Sequence, residues 1–134
     1  MRMMLSFACV MLCSSIALAE EEQQLRVHPK IVEMNKIAQG LRLHNGKLIL
    51  ELDEGCCRMA QRWANRMANR RKFRHGKDDQ IIARGYKNAR AAFRAWMKSN
   101  GHRRWMLSDS KKCGWGCQKC KNGKWYWVGV FRKQ

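Results

Sequence analysis

Two histidines, His75 and His102, are the side chains of this sequence best suited to metal or proton chemistry. Imidazole binds divalent metals and exchanges protons near neutral pH. Two neutral imidazoles make an incomplete zinc site, because structural and catalytic zinc usually has three or more protein ligands. Arg74, Arg103 and Arg104 adjoin the two histidines in sequence and oppose a cation, while Asp78 and Asp79 are the only nearby carboxylates. A cysteine such as Cys57 beside a histidine would make a nucleophilic pair, but no spacing brings one to the other. The chain carries no His-Glu-x-x-His, no Gly-x-Ser-x-Gly and no phosphate-binding Gly-rich loop, which removes the common zinc-protease, hydrolase and nucleotide signatures.

A second group is cationic. Arg58, Arg62, Arg66 and Arg70 recur every four residues, close to one helical turn, so they form a row. Arg74, Arg103 and Arg104 extend the candidate anion-binding face. Residues 58–104 hold 15 basic residues against Asp78 and Asp79 alone, within a chain of net charge +18. Such a field draws anionic polymers or anionic surfaces. It is also compatible with a merely solvated face. No aromatic residue is read as interleaved in the row, Trp63 being assigned to the core, so sequence-specific nucleic-acid recognition is not expected.

Residues 1–19 have the form of a signal peptide: Arg2, an apolar run from Leu5 to Leu12, and Ala17-Leu18-Ala19 before Glu20. The run is too short to span a bilayer, and no later stretch is long enough. The expected product is secreted or extracytoplasmic, with residues 20–28 as a flexible N-terminus and 29–134 as one domain. Its balance is +17 once Arg2 is gone. Five cysteines remain: Cys56, Cys57, Cys113, Cys117 and Cys120. Export favours disulfides over a zinc cluster, and an odd count leaves one thiol outside any intramolecular pair.

The elements that must position these groups follow from periodicity. Ile31, Met34, Ile37 and Ala38 predict a helix after Pro29, capped at Gly40, with residues 41–50 as a connector. Asp53 is the N-cap of a helix whose apolar stripe is Cys56, Met59, Ala60, Trp63, Ala64, Met67 and Ala68; Arg70-Arg71-Lys72 close it. Residues 81–85 read as a turn. Tyr86 to Lys98 is a third helix with Ala89, Ala92, Phe93 and Trp96 inward, ended by Ser99-Asn100-Gly101. Residues 113–120 and 125–131 form a hairpin around Asn122-Gly123, with a two-residue turn that sets Cys120 opposite Trp125 and Cys117 opposite Val128. Cys113 and Cys117 then share a face, and Cys117 and Cys120 do not.

The stretch from Phe73 to Leu107 carries His75, then a polar residue before Ile-Ile-Ala-x-Gly, then Ala-Trp-Met-x-Ser-x-Gly-His-Arg-x-x-Met-Leu. This order resembles the CAP superfamily of cysteine-rich secretory proteins, insect antigen 5 and plant pathogenesis-related proteins, and most of all its bacterial SCP-like branch. The resemblance implies an α/β fold, an α-β-α sandwich with helices on both sides of a small, mainly antiparallel sheet. It also implies a cleft in which two histidines and two acids meet, where a divalent metal such as zinc binds. His75 and His102 match the histidines; the acid positions are Gln80 and Ser99. With both acids replaced, the reading is a non-catalytic extracytoplasmic domain that binds a ligand or surface, with a lipid-like or small-molecule ligand or an anionic polymer as partner and any metal held weakly. The alternatives are a metal-dependent hydrolase using His75 and His102, and a cationic antimicrobial or envelope-binding protein.

Overall fold

In the computed structural model, residues 25–77 and 79–134 are described. The signal-like segment, the mature N-terminus up to residue 24, and Asp78 lie outside them. Residues 25–28 form a turn in which the His28 N–H donates to the Leu25 carbonyl, and Arg26 pairs with Glu54.

Helix α1 spans Pro29–His44, with the His28 side chain accepting from the Lys30 N–H and Pro29 in the first turn, where its missing N–H costs nothing. It runs past Gly40, contrary to the expected cap there. The left-handed stop falls instead at Gly46, with φ of 72°, because Leu41 and Arg42 still have inward partners. A two-residue strand, β1 (Glu51–Leu52), follows. Helix α2 spans Glu54–Arg70, and its Asp53 cap accepts from the Cys56 N–H at 2.8 Å. Residues 81–85, expected as a turn, fall mostly within strand β2 (Gln80–Arg84); a run buried on both faces is as much a strand signal as a turn signal. Helix α3 is Ala89–Lys98, three residues shorter than expected at its start, because the Asn88 side chain caps the Ala91 N–H. Helix α4, Asn100–Met106, begins at once where the sequence read only a terminator. Strands β3 (Lys112–Lys119) and β4 (Trp125–Arg132) complete the chain.

The sheet order is β1-β3-β4-β2, antiparallel except for β1 against β3. Alternation along β4 divides the core in two. Trp127 and Phe131 join Phe93, Trp96, Met106, Ile31 and Met34 on the side of α1, α3 and α4. Tyr126, Val128 and Val130 join Ala60, Ala64 and Met67 under α2. Helices therefore cover both faces, and the expected sandwich holds.

Two glycines set how close α2 comes. A Cβ on Gly114 would lie 2.2 Å from the backbone between Cys56 and Cys57, and one on Gly116 would lie 2.4 Å from the Gln61 nitrogen. The helix also finishes the edge of β3. The Asp53 N–H donates to the Cys113 carbonyl, the Cys57 thiol meets the Trp115 backbone, and the Gln61 amide bonds both the N–H and carbonyl of Cys117. Four helical residues rise about 6 Å and two strand residues about 6.6 Å, so partners at every fourth helical position meet every second strand residue.

The hairpin differs from expectation by one residue. Lys119 faces Trp125 and Cys117 faces Trp127. The Gly123 N–H closes on the Cys120 carbonyl with Gly123 at φ 88°, and Cys120 N–H donates to Lys124. This is a three-residue loop with a left-handed glycine, the other common Asn-Gly hairpin. Cys113 and Cys117 do share one core, with Cys120 in the other. The expected disulfides are absent: all five described cysteines are buried free thiols.

Candidate functional site

His75 lies in the segment joining α2 to β2, and His102 lies in α4; strand β2, at the sheet edge, stands between the two layers that carry them. The His75 side is anchored by Gln80, whose Oε1 accepts from the Gly76 N–H at 2.8 Å. This fixes the amide, and its Nε2 is left buried with no hydrogen-bond partner among the described residues. A cavity of about 300 Å³ is lined by Phe73, from the segment that carries His75, together with Ile82, Ala83, Trp96, Ser99 and His102. Trp96 closes part of it by donating to the outward carbonyl of Ile82 at 3.1 Å. Burial, with a smaller contribution from the charge of His75, holds the His102 pKa below the ordinary histidine value.

This donor set does not fit a tightly held divalent metal. Gln80 presents an N–H where a ligand oxygen is required, because its oxygen is already engaged. Ser99 is a weak ligand. No cluster of three or more His, Cys, Asp or Glu able to hold a metal occurs among the described residues. Asp79 is exposed and uses its carbonyl to tie Phe131.

The arginine row leads to a different feature. Arg62 and Arg66 on α2, with Arg74, His75, Gly76 and Lys77 of the following segment, line a groove of about 710 Å³ whose remaining walls are Met59 and Trp63. Trp63 was expected in the core. It is half-buried instead, and its Nε1 donates to the Arg74 carbonyl at 3.0 Å, fixing the segment against the helix. The Arg66 guanidinium lies 5.7 Å from the centre of the Trp63 ring, within cation–π range. Gly76 closes the corner, where a Cβ would stand 3.2 Å from both Trp63 and the Gln80 Nε2. No carboxylate among the described residues lines the groove, and the ion pairs among those residues, Arg26–Glu54 and Lys47–Asp109, involve none of its cations.

The structure thus gathers Arg62, Arg66, Arg74 and His75. Arg58 and Arg70 stay on the same exposed helix face outside the groove lining. Arg103 points elsewhere and donates to Asn45 at the end of α1, and Arg104 is exposed on α4. Met59, Trp63, Gly76 and Lys77 were missed as site residues. A signal existed: Met59, Trp63 and Arg66 fall at i, i+4 and i+7, on the flank of the stripe centred on Cys56, Ala60, Ala64 and Met67.

The model of the cysteine-rich secretory protein family, CAP, matches residues 38–131. The chain belongs to that family. No curated protein matches it. Among solved structures, an outer surface protein from Borrelia burgdorferi superposes with a TM-score of 0.68 at 19% identity, over 75% of this chain and 90% of that one. An extracellular protein containing an SCP domain from Bacillus anthracis gives 0.64 at 17% identity, over 78% of this chain and 40% of that one. A cysteine-rich secretory protein from Staphylococcus aureus gives 0.61 at 13% identity, over 78% and 38%. These likenesses establish the CAP fold; the present chain spans less than half the length of the last two. No helix among its described residues is long and apolar enough to cross a membrane.

Proposed function

We propose that this CAP domain is an exported, non-catalytic binding protein that holds an anionic polymer or anionic surface in the groove between α2 and residues 74–77. The observation that carries the reading is the convergence of Arg62, Arg66, Arg74 and Lys77 on one concavity with no carboxylate among the described residues of its lining. Cations brought together repel, and an anion in the groove removes that cost. Trp63 and Met59 add an apolar floor that favours a ligand with a hydrocarbon or sugar body over a small inorganic ion. Export is supported by the features of residues 1–19 and by relatives described as extracellular or outer-surface proteins.

The test is recovery of ligand. Inorganic polyphosphate mixed with the protein, with and without zinc, is expected to bind and to be recovered at its original length. Zinc-dependent shortening that His102→Ala abolishes would replace this reading with the metal-dependent hydrolase. Rupture of phosphatidylglycerol vesicles at concentrations where polyphosphate does not bind would replace it with the membrane-disrupting alternative.

A further inference from the structure

The last turn of α1 and the connection from it to β1 display three aliphatic side chains to solvent: Leu43 at 61%, Leu48 at 85% and Ile49 at 63% relative exposure. The other large exposed apolar residues among those described, Val27, Phe73 and Tyr86, are separate from this stretch in sequence. Leu50, next in line, turns inward to the core.

The exposure belongs to a backbone that is held in place. The Gly46 N–H donates to the Leu43 carbonyl and the Lys47 N–H to the Arg42 carbonyl. The Leu50 N–H donates to the Gln39 side chain at 2.8 Å. Above all, the buried Arg42 guanidinium donates from Nε to the Leu48 carbonyl at 2.7 Å, and from Nη1 to the carbonyls of Met106 and Ser108 at 2.9 and 2.8 Å. A buried cation satisfied by carbonyls alone is costly to place. Here it locks the turn to the end of α4 and leaves the aliphatic groups projecting.

We infer that this turn is an insertion tip that enters the interface of an anionic lipid bilayer. Lys47, Arg103 and Lys111 surround it in basic charge, against Asp109, which Lys47 meets at 3.8 Å, and Glu51. The local balance is slightly positive and that of the whole chain is +18, so an anionic headgroup layer attracts the protein while the long Lys and Arg side chains remain at headgroup level. That same charge opposes a second copy of the chain as the occupant. Three side chains on a convex turn also fall well short of the roughly 800 Å² per partner of a stable protein interface. The inference concerns a surface separate from the arginine groove and does not depend on it.

The experiment is co-sedimentation with mixed phosphatidylcholine–phosphatidylglycerol vesicles, compared with phosphatidylcholine alone. The Leu48→Ser, Ile49→Ser double variant is expected to partition about tenfold more weakly, with the same ratio when Arg62→Gln and Arg66→Gln are also present. Both positions are exposed, so folding is retained, which circular dichroism checks. Leu48→Trp is expected to bind more tightly and to shift its emission to the blue on vesicles. Unchanged partitioning of the double variant would overturn the inference. So would a wild-type dimer in solution that the double variant dissolves, since the tip would then belong to a second copy.

Discussion

Gln80 decides what the histidine side of the cleft is able to hold. Its oxygen is committed to Gly76 and its nitrogen has no partner among the described residues, so the position offers hydrogen to a ligand rather than a lone pair. Replacement by Glu keeps the acceptor for Gly76 and adds a charge. Isothermal calorimetry should show weak zinc binding by the wild type and an affinity for Gln80→Glu higher by about ten- to a hundredfold. His102 supplies a second test. Its lowered pKa means that the unfolded chain binds this proton at a pH where the folded chain does not, so folded stability should fall as pH drops below about 6.5. His102→Gln should flatten that part of the profile in thermal melts between pH 7 and 5. His75, His102, Gln80 and Ser99 were singled out in the sequence by a motif alone. Trp63 was legible only as a flank position of the core stripe, and the seating of α2 on β3 leaves its ring at the margin.

The seating of α2 is the element-scale fact on which the groove depends. Gly114 and Gly116 bring helix backbone against strand backbone, and an added methyl at either has no flexible side chain to displace. Gly116→Ala should cost roughly 3 kcal/mol and lower the melting temperature by on the order of 10 °C. Gly40→Ala, in the middle of α1 with open space beside it, should leave stability equal or slightly higher. Helices α1, α2 and α3 were readable from apolar periodicity, whereas α4 was read only as a terminator; the C-terminal hairpin was readable too. Its register was not, since Asn122-Gly123 serves two loop lengths and a change of one residue moves every cross-strand partner. Strand β2 was hidden for a different reason: Gln80-Ile-Ile-Ala is buried throughout, so it shows no alternation.

For the whole molecule, export chemistry and core packing lead to different expectations for cysteine. The sequence favoured disulfides; the fold buries every described thiol as a core residue. Burial raises the pKa of Cys57 and Cys117 to about 11 and of Cys56 and Cys113 to about 12, so their thiolates are scarce at neutral pH. A reducing agent should leave the melting temperature unchanged, and thiol reagents should label these four cysteines only on unfolding. A marked loss of stability on reduction would restore the disulfide reading. Charge, by contrast, was legible in amount but not in arrangement. The excess of arginine was plain, yet the fold divides it, with Arg62, Arg66 and Arg74 lining a groove and Arg103 beside Asn45. The proposed binding therefore depends on the position of the arginines rather than on total charge. The most direct measurement compares two triple variants of equal charge, Arg62→Gln, Arg66→Gln, Arg74→Gln and Arg94→Gln, Lys98→Gln, Arg104→Gln, in polyphosphate binding across a salt series. The groove variant should lose at least about tenfold in affinity at low salt and show a shallower log–log salt slope by about two to three, with the second variant close to wild type. Equal losses in the two would mean that the protein responds to net charge alone and that the groove is not a site.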